Sequence, residues 1–140
     1  MMEIKMKKII LFAMVILILA ACSSTPKVDL AGEWKLISYG DVANPTPALP
    51  DVETTIKFEN GQVSGNVGCN SFGGDYEMKG NAIVFGSMFS TEMYCEETST
   101  QEQGVLGIFA GGMDLSIQMN GELLTITSPD GSSVVNLARK

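Results

Sequence analysis

From Leu30 onward, apolar and polar residues alternate in short runs broken by glycine, asparagine and proline. This is the pattern of strands with one buried face. Leu30 to Tyr39 is the first run, with Trp34 and Leu36 on one face. Thr54 to Glu59 alternates, Asn60-Gly61 is a strong two-residue turn, and Gln62 to Val67 returns. Asp75 to Met78, Lys79-Gly80-Asn81 and Ala82 to Phe85 predict a second hairpin, with Ser87 to Tyr94 as a further strand. Near the C-terminus, Asp114 to Met119, Asn120-Gly121, Glu122 to Thr127, Pro129-Asp130-Gly131 and Ser132 to Ala138 read as a three-stranded meander. One segment, Ser99 to Phe109, has helical spacing: Val105, Leu106, Ile108 and Phe109 gather toward one side. Glu97 and Glu102 lie toward its N-terminal end, where the helix dipole favours acids. Gly104 and Gly107 each cost about 1 kcal/mol against alanine, so this helix must lean on tertiary packing. Eight or nine short strands around one helix predict a mainly β (α+β) fold. The expected form is a compact antiparallel barrel-like or half-barrel sheet with one short helix.

Glycine is concentrated between Gly61 and Gly80, but Val63, Val67, Phe72, Tyr76 and Met78 are interleaved with it. A flexible linker would lack those large apolar groups. The stretch therefore reads as closely packed strand and turn backbone, with Cys69 at its middle. Trp34, the single tryptophan, reads as a core anchor, with an exposed ligand platform as the alternative. Asp41 to Glu53 holds Pro45, Pro47 and Pro50 and is expected to run as an irregular surface loop, a candidate for partner contact.

The N-terminus follows different rules. Lys5, Lys7 and Lys8 precede an unbroken apolar run from Ile9 to Leu19, then Ala20-Ala21-Cys22. A basic head, a short apolar stretch and small residues before a cut make a secretory signal, and the run is too short to span a bilayer. Leu19-Ala20-Ala21-Cys22 resembles the bacterial lipobox, which implies a lipoprotein signal over residues 1–21 and acylation of Cys22. Two or three acyl chains would supply the multiple anchoring that one chain cannot. Residues 22–28 form a short tether, roughly 20 Å if fully extended, and residues 29–140 the domain. Ser23 after the cysteine resembles outer-membrane cargo by the sorting rule for diderm bacteria. The expected location is therefore the outer membrane, facing the periplasm.

Charge and composition exclude several partners and chemistries. With the leader set aside, six basic groups face fifteen acidic ones, a net of −9. So acidic a domain has no footprint for nucleic acid, and anionic lipid would repel it without a covalent hold. The chain has no histidine, which removes Ser-His and Cys-His nucleophile pairs, histidine metal ligands and an imidazole pH switch. Of three cysteines, one is reserved for lipid. An even remainder in an exported protein predicts a Cys69–Cys95 disulfide. A redox-active pair would need a nearby cation to depress a thiol pKa, and none lies within several residues; unpaired thiols are the remaining alternative. Glu92, Glu96, Glu97 and Glu102 surround Cys95 but form no calcium-loop motif, so no metal or other cofactor is expected. No spacing favours a pair of catalytic carboxylates. Met78, Met88, Met93, Met113 and Met119 read first as core filler and second as a soft binding surface.

Three blocks of residues together resemble a known family. They are Leu30-x-Gly32-x-Trp34-x-Leu36, Gly61-x-Val63-Ser64-Gly65-Asn66-x-Gly68-Cys69-Asn70-x-Phe72-x-Gly74-x-Tyr76, and Ser90-Thr91-x-Met93-x-Cys95. They are similar to the META domain, the HslJ-like family of bacterial envelope proteins, and the resemblance covers about residues 29–137. It implies a compact mainly-β fold, links to heat shock and drug tolerance, and no established catalytic residues to carry over. The sequence departs from the pattern after Cys95, where the usual proline is missing and Gly104 and Gly107 interrupt the helix. The functional expectation is a lipid-anchored, non-enzymatic envelope protein. Its role would be structural, protein-binding or chaperone-like under envelope stress, with envelope proteins as partners. The alternative is a binder of small hydrophobic ligands at the mouth of the half-barrel.

Overall fold

The computed structural model describes residues 27–140. The predicted leader, Cys22 and the tether as far as Pro26 lie outside the described residues. Nine strands and one helix follow in order: β1 Gly32–Asp41, β2 Thr46–Pro47, β3 Thr55–Glu59, β4 Gln62–Asn66, β5 Ser71–Lys79, β6 Ala82–Ser90, α1 Glu96–Phe109, β7 Leu115–Asn120, β8 Leu123–Thr127 and β9 Ser133–Arg139. Every pairing is antiparallel, from β1 to β3 and then strand by strand to β9. β9 returns to β1 from Trp34↔Arg139 to Asp41↔Ser133. Eight strands thus close into a barrel, and of the two expected forms the closed one is realised. β2 adds a two-residue ribbon to β1 at Ser38 and Tyr39, and there Pro47 occupies the edge position a proline tolerates.

The interior is filled by side chains from every wall, among them Trp34, Ile56, Phe58, Phe85, Leu124 and Leu137, all 0–1 % exposed. Alternation explains most of this set. The exception is Tyr39, which is buried three residues after Leu36 because a bulge between Leu36 and Ser38 resets the period.

The two ends of the barrel differ. At one end the chain enters at Gly32 opposite Phe58 and leaves at Arg139 opposite Trp34. The tight turns after β3, β5 and β7 share this end. Asn60 and Gly61 have φ of 52° and 77°, a conformation that asparagine and glycine adopt most readily. The opposite end is covered by α1. Its buried residues Thr98, Gln101, Glu102, Val105 and Phe109 recur at three- and four-residue spacing and form one face. Phe109 stacks on Phe85 with ring centroids 4.3 Å apart, and Phe72 lies 6.3 Å away.

Several local expectations are corrected. β6 runs unbroken through Gly86 to Ser90, so the two runs read from sequence are one strand, and Thr91 to Tyr94 is not extended sheet. β5 likewise begins at Ser71, because Gly73 and Gly74 remain in register opposite Phe89 and Met88. The turn between β7 and β8 is centred on Gly121 and Glu122, one residue later than expected, since Asn120 still pairs with Leu123. The helix starts at Glu96 and passes through both glycines. Its first turns are invisible to apolar periodicity because their buried residues are polar.

Gly104 has a packing reason to be glycine. A Cβ there would lie 2.6 Å from Cδ2 and Cε2 of Tyr39, whereas one on Gly107 would meet nothing within 4 Å.

Candidate functional site

The distinctive residues of the sequence separate into two groups. The first lies in the barrel wall. Trp34 is fully buried, donating Nε1–H to Leu30 O at 2.9 Å, and the Arg139 guanidinium lies 4.3 Å above its ring. It is therefore the core anchor and not an exposed platform. Gly32 begins β1 with φ of 122° beneath Arg139. A Cβ on Gly65 would meet the Thr55 carbonyl, and one on Gly74 would lie 2.7 Å from Ser87 O. Phe72 is buried, and Tyr76 packs edge-on to Phe58 at 5.2 Å. These positions are constrained by packing, joined at Gly32 by a positive φ and at Trp34 by its hydrogen bond to Leu30 O.

The second group converges at the helix-capped end. Cys69 and Cys95 form the expected disulfide, with Cα atoms 6.2 Å apart. Beside it the Asn70 side chain reads the backbone of the 91–95 segment as a neighbouring strand would. Its Oδ1 accepts from Met93 N–H at 2.8 Å and from the Thr91 hydroxyl at 2.9 Å, and its Nδ2 donates to Met93 O at 2.9 Å. The second Nδ2 proton goes to Glu102 Oε2 at 2.7 Å. Glu102 Oε1 accepts from Asn70 N–H at 2.7 Å and also from Cys69 N–H. Gly68 permits this approach, since a Cβ there would lie 2.7 Å from Glu102 Cγ. One residue earlier, Gln101 donates to Val67 O at 2.6 Å and accepts from Leu49 N–H at 2.8 Å. α1 is thereby bonded to both the 66–71 connection and the proline-rich 41–54 loop.

Glu102 is the one buried acidic or basic residue among those described. Burial works to raise its pKa, but hydrogen bonds from the Asn70 side chain and from the Asn70 and Cys69 backbone outweigh that, and the net shift is downward. Oε1 accepts from the Cys69 and Asn70 backbone and Oε2 from the Asn70 side chain, so Glu102 serves as a structural acceptor.

By residue type alone Glu102 groups with Glu92, Glu96 and Glu97 around Cys95, and Gln101 does not stand out. The signal was available in the spacing. Glu102 precedes Val105 by three residues and Phe109 by seven, which places it on the apolar face. Glu92, Glu96 and Glu97 stay exposed, and among the described residues no three acidic or cysteine side chains gather as metal ligands.

Apolar side chains also crowd the outside of this corner. Phe89 is 70 % exposed, Met93 59 % and Tyr94 84 %. The expectation that Met93 is core filler is corrected: its backbone is held by Asn70 while its side chain faces solvent. α1 lies across this mouth of the barrel, with Val105 and Phe109 buried beneath it.

A small closed antiparallel barrel, filled inside and plugged at one end by a helix, is the class of domain these observations define. The META domain model matches residues 28–140, and the chain belongs to the META domain family. The fold is shared with a protein from Burkholderia xenovorans solved by NMR, with TM-score 0.63, 20 % identity, and coverage of 86 % of this chain and 96 % of that one. It is shared too with a crystal structure of a duf4847 family protein from Bacteroides vulgatus, with TM-score 0.59, 12 % identity, and coverage of 79 % and 94 %. Among curated proteins none matches the sequence.

Proposed function

We propose that the protein is a non-enzymatic, lipid-anchored domain of the bacterial envelope that contacts other envelope proteins through the rim of Phe89, Met93 and Tyr94. That exposed rim, at the end of the barrel opposite the chain entry, is the observation that carries the reading. A soluble domain seldom leaves neighbouring large apolar groups in water without a partner for them. A tether from acylated Cys22 would hold the entry end near the bilayer and turn the rim toward the periplasm. The filled barrel supports protein contact over a small internal ligand. The META family carries no established catalytic residues, and the links to heat and drug tolerance suggest a chaperone-like or structural role under stress.

Two measurements test this reading. Intact mass of the protein from its native membrane should show a lipid adduct that Cys22→Ala abolishes; an unmodified Cys22 overturns the anchor. A photo-reactive amino acid placed at Tyr94 in living cells should cross-link to envelope proteins, and one at Lys79, on the entry end, should not. Equal or absent cross-linking at both positions overturns the rim.

A further inference from the structure

The outer edge of β6 is open beside this rim. β6 pairs with β5 from Ala82 to Ser90, but β7 meets it only at Ala82 and Ile83. Thr91 N–H donates to Ser71 O at 3.0 Å, which makes Ser71/Thr91 and Gly73/Phe89 the bonded pairs of the β5–β6 ladder. Met88 and Ser90 fall in the alternate pairs, so their N–H and C=O groups turn away from β5, toward the open edge. From Gly86 to Ser90 the strand carries no charge and no proline, the devices by which natural edges refuse another strand. Phe89 lies across Gly73 on the outer face, and Met93 and Tyr94 continue the apolar surface.

Charge selects the occupant. Glu92, Glu96 and Glu97 are exposed around these side chains, and no lysine or arginine occurs between Gly80 and Ala138. Lys57, in the adjoining groove, is already paired to Glu59 at 2.9 Å. A second copy of the chain on this edge would bring two sets of glutamates together, which is unfavourable. A basic segment would neutralise them.

We propose that the free edge of β6, with Phe89, Met93 and Tyr94, docks an extended polypeptide segment of alternating apolar and basic residues. This rests on the protein-contact reading above and names its partner chemistry. The segment adds a strand: its main chain bonds Met88 and Ser90, its apolar side chains cover the rim, and its basic side chains face Glu92, Glu96 and Glu97.

The test uses the full-length protein in non-ionic detergent and a fluorescein-labelled synthetic decapeptide of alternating valine and lysine, followed by anisotropy. Saturable binding that weakens as salt rises is expected. Ser90→Pro removes an edge donor without touching a β5 bond and should weaken binding about tenfold at unchanged melting temperature. Replacing Glu92, Glu96 and Glu97 by glutamine should weaken it too and flatten the salt dependence.

A decapeptide N-methylated at every residue has no amide proton on either edge and cannot complete the ladder, so it tests the edge on unaltered protein; it should not bind. Equal affinity for the methylated peptide, or no binding of the parent peptide, overturns the proposal. So does sedimentation showing a dimer that Ser90→Pro dissolves, which would assign the edge to a second copy. If the peptide fails while Tyr94 still cross-links in cells, the partner chemistry falls and protein contact at the rim stands.

Discussion

Replacing Glu102 by glutamine changes one oxygen to an amide nitrogen in a site built for acceptors. Oε1 of glutamine can still receive Cys69 N–H and Asn70 N–H, but its Nε2 must then face Asn70 Nδ2 across 2.7 Å. Asn70 cannot turn over to help, because its Oδ1 is held by Met93 N–H and the Thr91 hydroxyl. A charge-assisted hydrogen bond is lost and a buried donor is left opposing another, together costing about 2–3 kcal/mol. For a domain of this size that corresponds to a fall in melting temperature of roughly 10 °C or more.

The pH dependence is the sharper signature. Glu102 has a lowered pKa in the folded state, so it binds its proton more weakly there than in the unfolded chain. Its contribution is fully present above the unfolded carboxyl pKa, about 4.3, and is lost as pH falls through the lower folded value. Thermal melts followed by circular dichroism, disulfide intact, should show a large gap between wild type and Glu102→Gln near neutrality that narrows in acid. An unchanged gap at both extremes, or no gap at neutral pH, would refute the assignment of Glu102 as a charged acceptor at this corner.

Three further outcomes follow from the same geometry. Asn70→Asp sets a carboxylate against Glu102 Oε2 and should cost about 3 kcal/mol or more at neutral pH, partly recovered in acid as the pair takes up a proton, read by urea denaturation. Gly104→Ala should destabilise by about 1–3 kcal/mol against the Tyr39 ring, while Gly107→Ala, with open space around it, should stabilise by about 0.5–1 kcal/mol. The same denaturation series reads both, and a reversed order would refute the packing argument. Replacing Cys69 and Cys95 by serine opens a loop of 26 residues' separation and should lower stability by about 3.5 kcal/mol in the chain-entropy picture, measured by denaturant midpoint.

What the amino-acid sequence alone determined is what short-range chemistry controls. Asn60-Gly61 specifies its turn because those residues tolerate positive φ, and the alternation of Ile56, Phe58 and Val63 assigns one face to the core. The pairing of Cys69 with Cys95 rests on residue type and number, and it is realised.

Tertiary structure decided the rest. β1 and β9 are separated by most of the domain, and no local pattern distinguishes an open sheet from one whose ends meet at Leu36↔Leu137. β6 persists past Gly86 because β5 pairs with it on both sides of a bulge, at Phe85 and again from Met88 to Ser90. Glu97 and Glu102 are the same residue type five positions apart on one helix, yet one faces water and the other ends among three amide donors. A carboxylate's role is set by the groups that meet it, and those groups arrive only when the barrel closes beneath the helix.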